Sequence, residues 1–319
     1  MNKIIKKLFY SFTWECAYRI IKDNEALPMS GTKYLYKVLN NKRGFWSADP
    51  FMFGTDNIIY CFCEYTDIKK HKSVIGVRSI SPDVEEKTDT AYEFDGHTSY
   101  PAVFSYQGTV YMIPETIYDR NIQMLKCTQW PNKWEKVGVL LDNIIAPDTT
   151  PFIDKGQLKA LIYSVNENDS TKSKLLIGSI DIENYIITDI AEIISYDNHL
   201  GRPGGNCIFL EDKLIRVVQP GNRIYGEKIE FYSLNLEDKT ESKLGELTID
   251  DIIPDKKGNY IGTHTFNRFG NVEIIDLLVK EFDFFKMGRY ILQRLRLFGY
   301  DLGDKRKINY SKGKQKDAV

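Results

Sequence analysis

No stretch of this chain approaches the ~18–20 consecutive apolar residues that a membrane-crossing helix needs, so the sequence predicts no spanning segment. Neither sign of charge dominates. Lys and Arg number 43 against 44 Asp and Glu, a net charge of −1. A body so balanced lacks the basic footprint of a nucleic-acid binder. Cysteine is sparse, and the five present (Cys16, Cys61, Cys63, Cys127, Cys207) include no Cys-x-x-Cys pair. Zinc draws four ligands from loop-like spacings, which are missing here. The sequence therefore predicts no metal and no cofactor, and reads the thiols as reduced. Cys61 and Cys63 alternate on a predicted strand and share a face. No Ser-His-Asp or Cys-His order stands out among only four histidines. The N-terminus starts Met1-Asn2-Lys3-Ile4-Ile5-Lys6-Lys7, but Ser11, Thr13, Glu15 and Arg19 break up the apolar residues after this charged start. That predicts no cleaved signal peptide and a cytoplasmic chain.

What the chain has is a repeat. A proline follows a short polar cluster in Asp49-Pro50-Phe51, Tyr100-Pro101-Ala102, Thr150-Pro151-Phe152 and Arg202-Pro203-Gly204, at intervals of 51, 50 and 52 residues. A fixed period of this size marks an array of similar units. Each unit offers several short β-branched and aromatic runs separated by turn residues, as at Gln107-Gly108, Asp154-Lys155-Gly156 and Lys256-Lys257-Gly258-Asn259. Four antiparallel strands per unit and five units predict an all-β fold, a five-bladed β-propeller over residues 1–285. A stacked solenoid is the alternative architecture. Ring closure needs a strand from the opposite end, and residues 12–19 (Phe12-Thr13-Trp14-Glu15-Cys16-Ala17-Tyr18-Arg19) supply the candidate. The 20 Tyr, 17 Phe and 4 Trp suit strands and equally suit sugar-stacking surfaces.

The last segment changes character. Phe284, Met287, Ile291, Leu295 and Phe298 are spaced 3, 4, 4 and 3, a single helical stripe. With Lys286, Arg289, Arg294 and Arg296 alongside, residues 286–308 predict a short amphipathic basic helix and tail. It either docks on the propeller or meets anionic lipid as a peripheral membrane contact at the inner face. Residues 309–319 read as disordered.

In a propeller the first strand of each blade lines the central channel, so the residues around the prolines converge from distant parts of the sequence. That register assembles Asp49, Ser99, Tyr100, Asp148, Thr149, Arg202 and His264 with Arg268. Asp49 and Asp148, with Glu115 and Glu227, are the candidate catalytic carboxyls. Glycosidic bond chemistry uses two such groups of unequal pKa, an acid for the leaving oxygen and a base or nucleophile. Asp49 is the candidate base, Glu227 or Glu115 the candidate acid, and Asp148 a group that orients sugar or tunes the acid. Both aspartates also read as turn residues flanking proline. Arg202, Arg268 and Arg223 suit a phosphate or carboxylate gripped in bidentate fashion, or an ion pair with the aspartates. His97 and His264 read as acid–base or sugar-contact groups, or as packed histidines. Gly201-Arg202-Pro203-Gly204-Gly205-Asn206 lacks the spacing of a phosphate-binding loop and reads instead as close backbone approach.

Five of these segments together carry a resemblance: Trp46-Ser47-Ala48-Asp49-Pro50-Phe51, His97-Thr98-Ser99-Tyr100-Pro101, Ile113-Pro114-Glu115-Thr116, Ala146-Pro147-Asp148-Thr149-Thr150-Pro151, and Gly201 to Asn206. Over roughly residues 12–280 the chain resembles the N-terminal domain of the plant glucosamine inositolphosphorylceramide transferases, a domain also found alone in bacteria. The resemblance does not extend to the plant proteins' C-terminal glycosyltransferase domain, which this chain is expected to lack. More distantly the chain is similar to five-bladed propeller glycosidases of the arabinanase, xylosidase and fructosidase type. Those place an Asp base on the first blade, a second Asp on the next and a Glu acid on the one after. Asp49 matches that base, whereas Asp148 falls on the third blade and Glu227 on the fourth, each one blade later than that pattern. The resemblance implies a carbohydrate-related role in surface-polysaccharide or glycolipid assembly. It makes Trp46, His97, Tyr100, Thr149, Arg202, Asn206, His264 and Arg268 expected contacts to a carbohydrate, nucleotide-sugar or glycolipid. A non-catalytic glycan-binding module or scaffold is the competing reading.

Overall fold

The computed structural model describes residues 10–55, 58–80, 87–197, 200–210, 212–220 and 225–283. The expected helix at 286–308 and the tail beyond it lie outside these, as does Arg223. Residues Thr13–Val279 form one compact unit, and it is the five-bladed propeller that the repeat predicts.

Four blades are four-stranded antiparallel sheets in chain order. Blade 1 is Phe45–Thr55, Ile58–Asp67, Lys72–Ile80 and Asp89–Tyr92. Blade 2 is Ser99–Tyr106, Thr109–Glu115, Asn121–Gln129 and Lys133–Asp142. Blade 3 is Thr150–Asp154, Gln157–Val165, Lys172–Asp181 and Ile186–Asp197. Blade 4 is Ile208–Leu210, Lys213–Val218, Lys228–Asn235 and Thr240–Thr248. The first hairpins of blades 2 and 3 turn through two residues with positive φ, Gln107-Gly108 (49° and 75°) and Lys155-Gly156 (49° and 82°). That is the type I′ geometry whose twist matches the flanking strands.

Blade 5 joins the two ends of the sequence. Its strands run in the order Ile252–Pro254, Tyr34–Val38, Tyr10–Ile20, Val272–Phe282, Tyr260–Gly262, with Phe266–Phe269 also paired to Val272–Phe282. Three short strands were not expected from the sequence: Asp89–Tyr92, Tyr34–Val38 and Ile252–Pro254.

Each junction between blades is a separate apolar cluster. Phe62, Ile75, Met112 and Leu125 join blades 1 and 2. Ile113, Met124, Ala160 and Ile162 join 2 and 3. Leu161, Leu175, Leu214 and Leu234 join 3 and 4. Val217 and Phe231 meet Ala17, Tyr36 and Phe266 between 4 and 5. Ile274, Tyr18 and Cys16 meet Met52 and Cys61 between 5 and 1. The central strand Ile58–Asp67 is buried over most of its length, whereas outer Ile186–Asp197 alternates buried with exposed, as expected of a two-sided inner strand and a half-solvated edge.

The smaller unit, Met1–Phe12 with Lys280–Val319, is described only where its strands end. There the Tyr10 ring meets Phe282 edge-on at 5.5 Å, with Lys280 Nζ 4.1 Å from its centroid.

Candidate functional site

Asp49 is aimed by a distortion of its own strand. Ala48 pairs with Glu64 and pairing resumes with Phe51 opposite Phe62, so Asp49 and Pro50 bulge together. Asp49 takes φ 49°, a left-handed conformation that Asp tolerates better than most residues. Blade 2 repeats the device, with Ser99 opposite Glu115, Ala102 opposite Ile113, and Tyr100 (φ 45°) bulged before Pro101. In blade 3 the proline stays in register, Pro151 opposite Ala160, and the left-handed residue is Asp148 (φ 57°), ahead of the strand. Bulges re-aim side chains; Asp49 at its bulge and Asp148 ahead of its strand each belong to a buried polar cluster.

The first is built on His264, in the blade 5 segment between Tyr260–Gly262 and Phe266–Phe269. Its Nε2 lies 3.1 Å from Asp49 Oδ1 and its Nδ1 2.7 Å from Asp276 Oδ2. The second contact is an ion pair out of line for a hydrogen bond. Asp276 is fully buried and accepts the backbone N–H groups of His264 (2.9 Å), Thr265 (3.0 Å) and Asp49 (3.2 Å). The Thr265 hydroxyl donates to Asp49 Oδ1 at 2.8 Å. Burial disfavours an imidazolium, but Asp276 and Asp49 outweigh it and hold His264 at about 10. Burial likewise pushes Asp49 up, yet His264 and Thr265 outweigh that, and Asp49 ends below the ordinary carboxylate value. Asp49, His264 and Asp276 each offer a ligand atom within 4.8 Å of the others. A cation held there would have to displace the His264 proton.

The second cluster is built on Arg202. Its Nε pairs with Asp148 and its Nη2 reaches Glu115 Oε2 at 3.3 Å. Gln219 Nε2 donates to Asp148 Oδ2 (3.0 Å) and to the Pro203 carbonyl (2.8 Å). Burial, reinforced by the Asp148 charge and opposed by Arg202, raises Glu115 well above its ordinary value. The Arg202 loop is itself held: Arg216 Nη1 donates to the Gly201 carbonyl (2.9 Å), and Gln219 N–H to the Arg202 carbonyl (2.9 Å). The Arg202 side chain is 29% exposed, against 1% for Asp148 and 8% for Glu115. Aromatic rings border both clusters. Trp14 lies 4.2 Å and Tyr225 4.9 Å from the His264 ring, and Arg202 stands 6.0 Å from Tyr225, which is half-exposed.

His97 is partly exposed at the edge. Its Nδ1 is 3.2 Å from Ser73 Oγ and its Nε2 3.6 Å from Glu64 Oε1. Glu64, buried and accepting from Ser73 (2.7 Å) and Thr66 (3.1 Å), is pushed up to about 8 by burial and by Asp49.

Other expected contacts fall elsewhere. Tyr100 is fully buried, and its hydroxyl bonds to Gly205 and Thr150 rather than facing a ligand. Arg268 pairs with Glu273 across a hairpin and donates to the Glu25 carbonyl, a network shared with Arg19 and apart from His264. Trp46 is half-buried against Trp14 and Ala48. Asn206 donates its N–H to Asn267 Oδ1 at 2.5 Å, and its own Oδ1 is buried without a partner, as is Thr149 Oγ1. Glu227 is half-buried just ahead of Lys228–Asn235. Asp276, Glu64, Gln219, Trp14 and Tyr225 join the site without having been expected from the sequence. An acid flanked by two apolar pairs, as in Ile274-Ile275-Asp276-Leu277-Leu278, was the available signal for the first. A cavity of about 570 Å³ on blade 3, bordered by Asn143, Ser164, Lys174 and Tyr196, is lined by none of these axial groups.

Residues 37–274 match the family model described as glucosamine inositolphosphorylceramide transferase 1, N-terminal. The chain belongs to this family. Glucosamine inositolphosphorylceramide transferase 1 of Oryza sativa subsp. indica is 27% identical over 208 residues, covering 61% of this chain and 27% of the relative. The Arabidopsis thaliana protein of that name is 23% identical over 201 residues, covering 61% and 26%. This chain thus spans about a quarter of the length of the curated relatives it matches. Among solved structures, the catalytic domain of a Coprinopsis cinerea GH62 α-L-arabinofuranosidase superposes with a TM-score of 0.55 at 10% identity, over 86% of this chain and 98% of that one. At that identity the likeness shows the propeller fold alone.

Proposed function

We propose that this chain is a carbohydrate-active protein whose axial site acts on a glycosidic bond, by transfer or hydrolysis, in the assembly of surface polysaccharide or glycolipid. The observation that carries this reading is a pair of buried carboxyls, each held by its own cationic partner and shifted in opposite directions. Against its burial, His264 and Thr265 hold Asp49 below the ordinary carboxylate value, and burial beside Asp148 raises Glu115 well above it. Two carboxyls pushed apart in this way are the acid and base of glycosidic chemistry. Arg202 joins them, pairing directly with Glu115 and acting on Asp49 through its charge. Half-exposed Tyr225 and partly exposed His97 then supply the rim that a sugar ring stacks on.

One observation favours a second reading, glycan binding without turnover. Asp49 and Asp148 are already engaged by His264 and Arg202, and neither side chain is more than 8% exposed. A single comparison separates the two. Purified chain is incubated with panels of oligosaccharides, nucleotide-sugars and glycolipids while turnover and binding heat are both recorded. Catalysis predicts turnover that falls at least ~100-fold in Asp49→Asn and in Glu115→Gln with the fold retained. Binding heat without turnover supports the second reading. Undiminished turnover in both variants overturns the first.

A further inference from the structure

We propose that Cys16, Cys61 and Cys63 form a three-thiolate site for a thiophilic divalent cation of the zinc class, placed where the last blade meets the first. Their sequence spacing does not suggest a site, and folding is what brings them together. Cys16 lies in Tyr10–Ile20 of blade 5, and the other two in Ile58–Asp67 of blade 1. All three are buried, and their sulfur atoms lie within 4.8 Å of one another. Three sulfurs around a zinc at ~2.3 Å stand about 4 Å apart in a plane, so the cluster needs to tighten by less than about 1 Å.

Packing alone accounts for three small apolar side chains. It does not account for their neighbour. Arg78 pairs directly opposite Cys61 in the adjoining strand Lys72–Ile80 and so stands on the thiols' face. It is 5% exposed, Nη1 donates to the Asn40 carbonyl, and Nε is buried with no partner. Among the described residues no carboxylate lies within ion-pair distance of it. Among the described residues this is a buried cation beside three thiols with no carboxylate paired to it, an arrangement that costs several kcal/mol. The charge count resolves it. Three thiols and a divalent cation give a complex of net charge −1 and release three protons, and Arg78 brings the sum to zero. A monovalent cation would leave an excess negative charge, which argues for the divalent class. The cation has to displace protons, and its affinity rises with pH. Bound there, it ties the closing strand to blade 1.

The test uses the full chain, reduced with a phosphine and freed of metal. Cadmium added stepwise is expected to raise a near-ultraviolet sulfur-to-metal band that saturates at one equivalent, with three protons released. X-ray absorption of the zinc form is expected to show three sulfur neighbours near ~2.3 Å. The double variant Cys127→Ser/Cys207→Ser keeps the band, and Cys63→Ser weakens binding at least ~100-fold. Absence of the band at one equivalent, a zinc shell of nitrogen and oxygen only, or a metal-free chain lighter by two hydrogens (a disulfide) would each overturn the assignment. Because the absorption measurement uses the unaltered chain, misfolding of the Cys63 variant cannot mask the result.

Discussion

The Tyr100 hydroxyl closes both backbone groups of Gly205. It accepts the glycine N–H and donates to the glycine carbonyl, each at 2.9 Å. A blade 2 side chain thereby fixes the loop that leads into blade 4 and carries Arg202. In Tyr100→Phe the ring keeps its edge contact with Phe51, 4.6 Å between centroids, but two buried backbone groups lose their partner. The expected cost is about 1–3 kcal/mol in denaturant unfolding. An unchanged midpoint would show that water replaces the hydroxyl.

The propeller was legible because its proline period and its turn residues point the same way. Asp49, Asp148, Arg202 and His264 were legible for the same reason, since blade register places the start of each inner strand at one end. Asp276 and Glu64 were not. Each shares its strand with other acids, Asp276 with Glu273 and Glu281 and Glu64 with Asp67, and sequence alone does not separate a buried partner from a solvated edge residue. Arg268 misled because it lies four residues beyond His264. Its strand puts it directly opposite Glu273, and that cross-strand pair claims it. Tyr100 misled differently: the kind of bulge that brings Asp49 against His264 turns Tyr100 into the core. The thiol cluster was invisible because it depends on ring closure, which no local spacing reports.

Gly205 should tolerate no side chain. It sits at φ 153°, and an added Cβ would lie 1.9 Å from the Phe266 carbonyl oxygen. That oxygen belongs to backbone in an inner strand of blade 5, so nothing flexible can move aside. Gly205→Ala is expected to destabilise by more than ~3 kcal/mol. Gly108→Ala, at φ 75° in open space, is expected to cost about 1 kcal/mol. Thermal melts of the pair measure the difference, and equal melts would contradict the close approach.

Arg202 and Asp148 should behave as one unit. Removing the guanidinium alone leaves Asp148 buried with Gln219 as its remaining side-chain partner, so Arg202→Ala is expected to cost about 3–5 kcal/mol. The double variant Arg202→Ala/Asp148→Asn removes the orphaned charge and is expected to cost less than the sum of the single variants. A double-mutant cycle in denaturant reads the coupling, and strict additivity would mean the pair is not formed in solution.

The axial groups also set how stability depends on pH. His264 is held near 10 in the fold against 6.5 as its ordinary value. A base raised in this way contributes fully below 6.5, and the contribution is lost as pH rises through about 10. Glu64 is near 8 against 4.5. Its neutral form suits the buried site, so its contribution is complete below 4.5 and is lost as pH rises through about 8. Glu115, also raised, has the same sign. Asp49 runs the other way. Its lowered value contributes above 3.8 and is lost as pH falls. Together these place the melting maximum on the acid side of neutrality, with a decline toward alkaline pH. Glu64→Gln should flatten that decline between pH 4.5 and 8 while leaving the segment governed by His264 intact. The slope of the melting temperature against pH is the measurement, taken for both proteins in one buffer series. A slope in Glu64→Gln matching the unaltered chain over that window would show that Glu64 ionises normally and that the site is wetter than its burial implies.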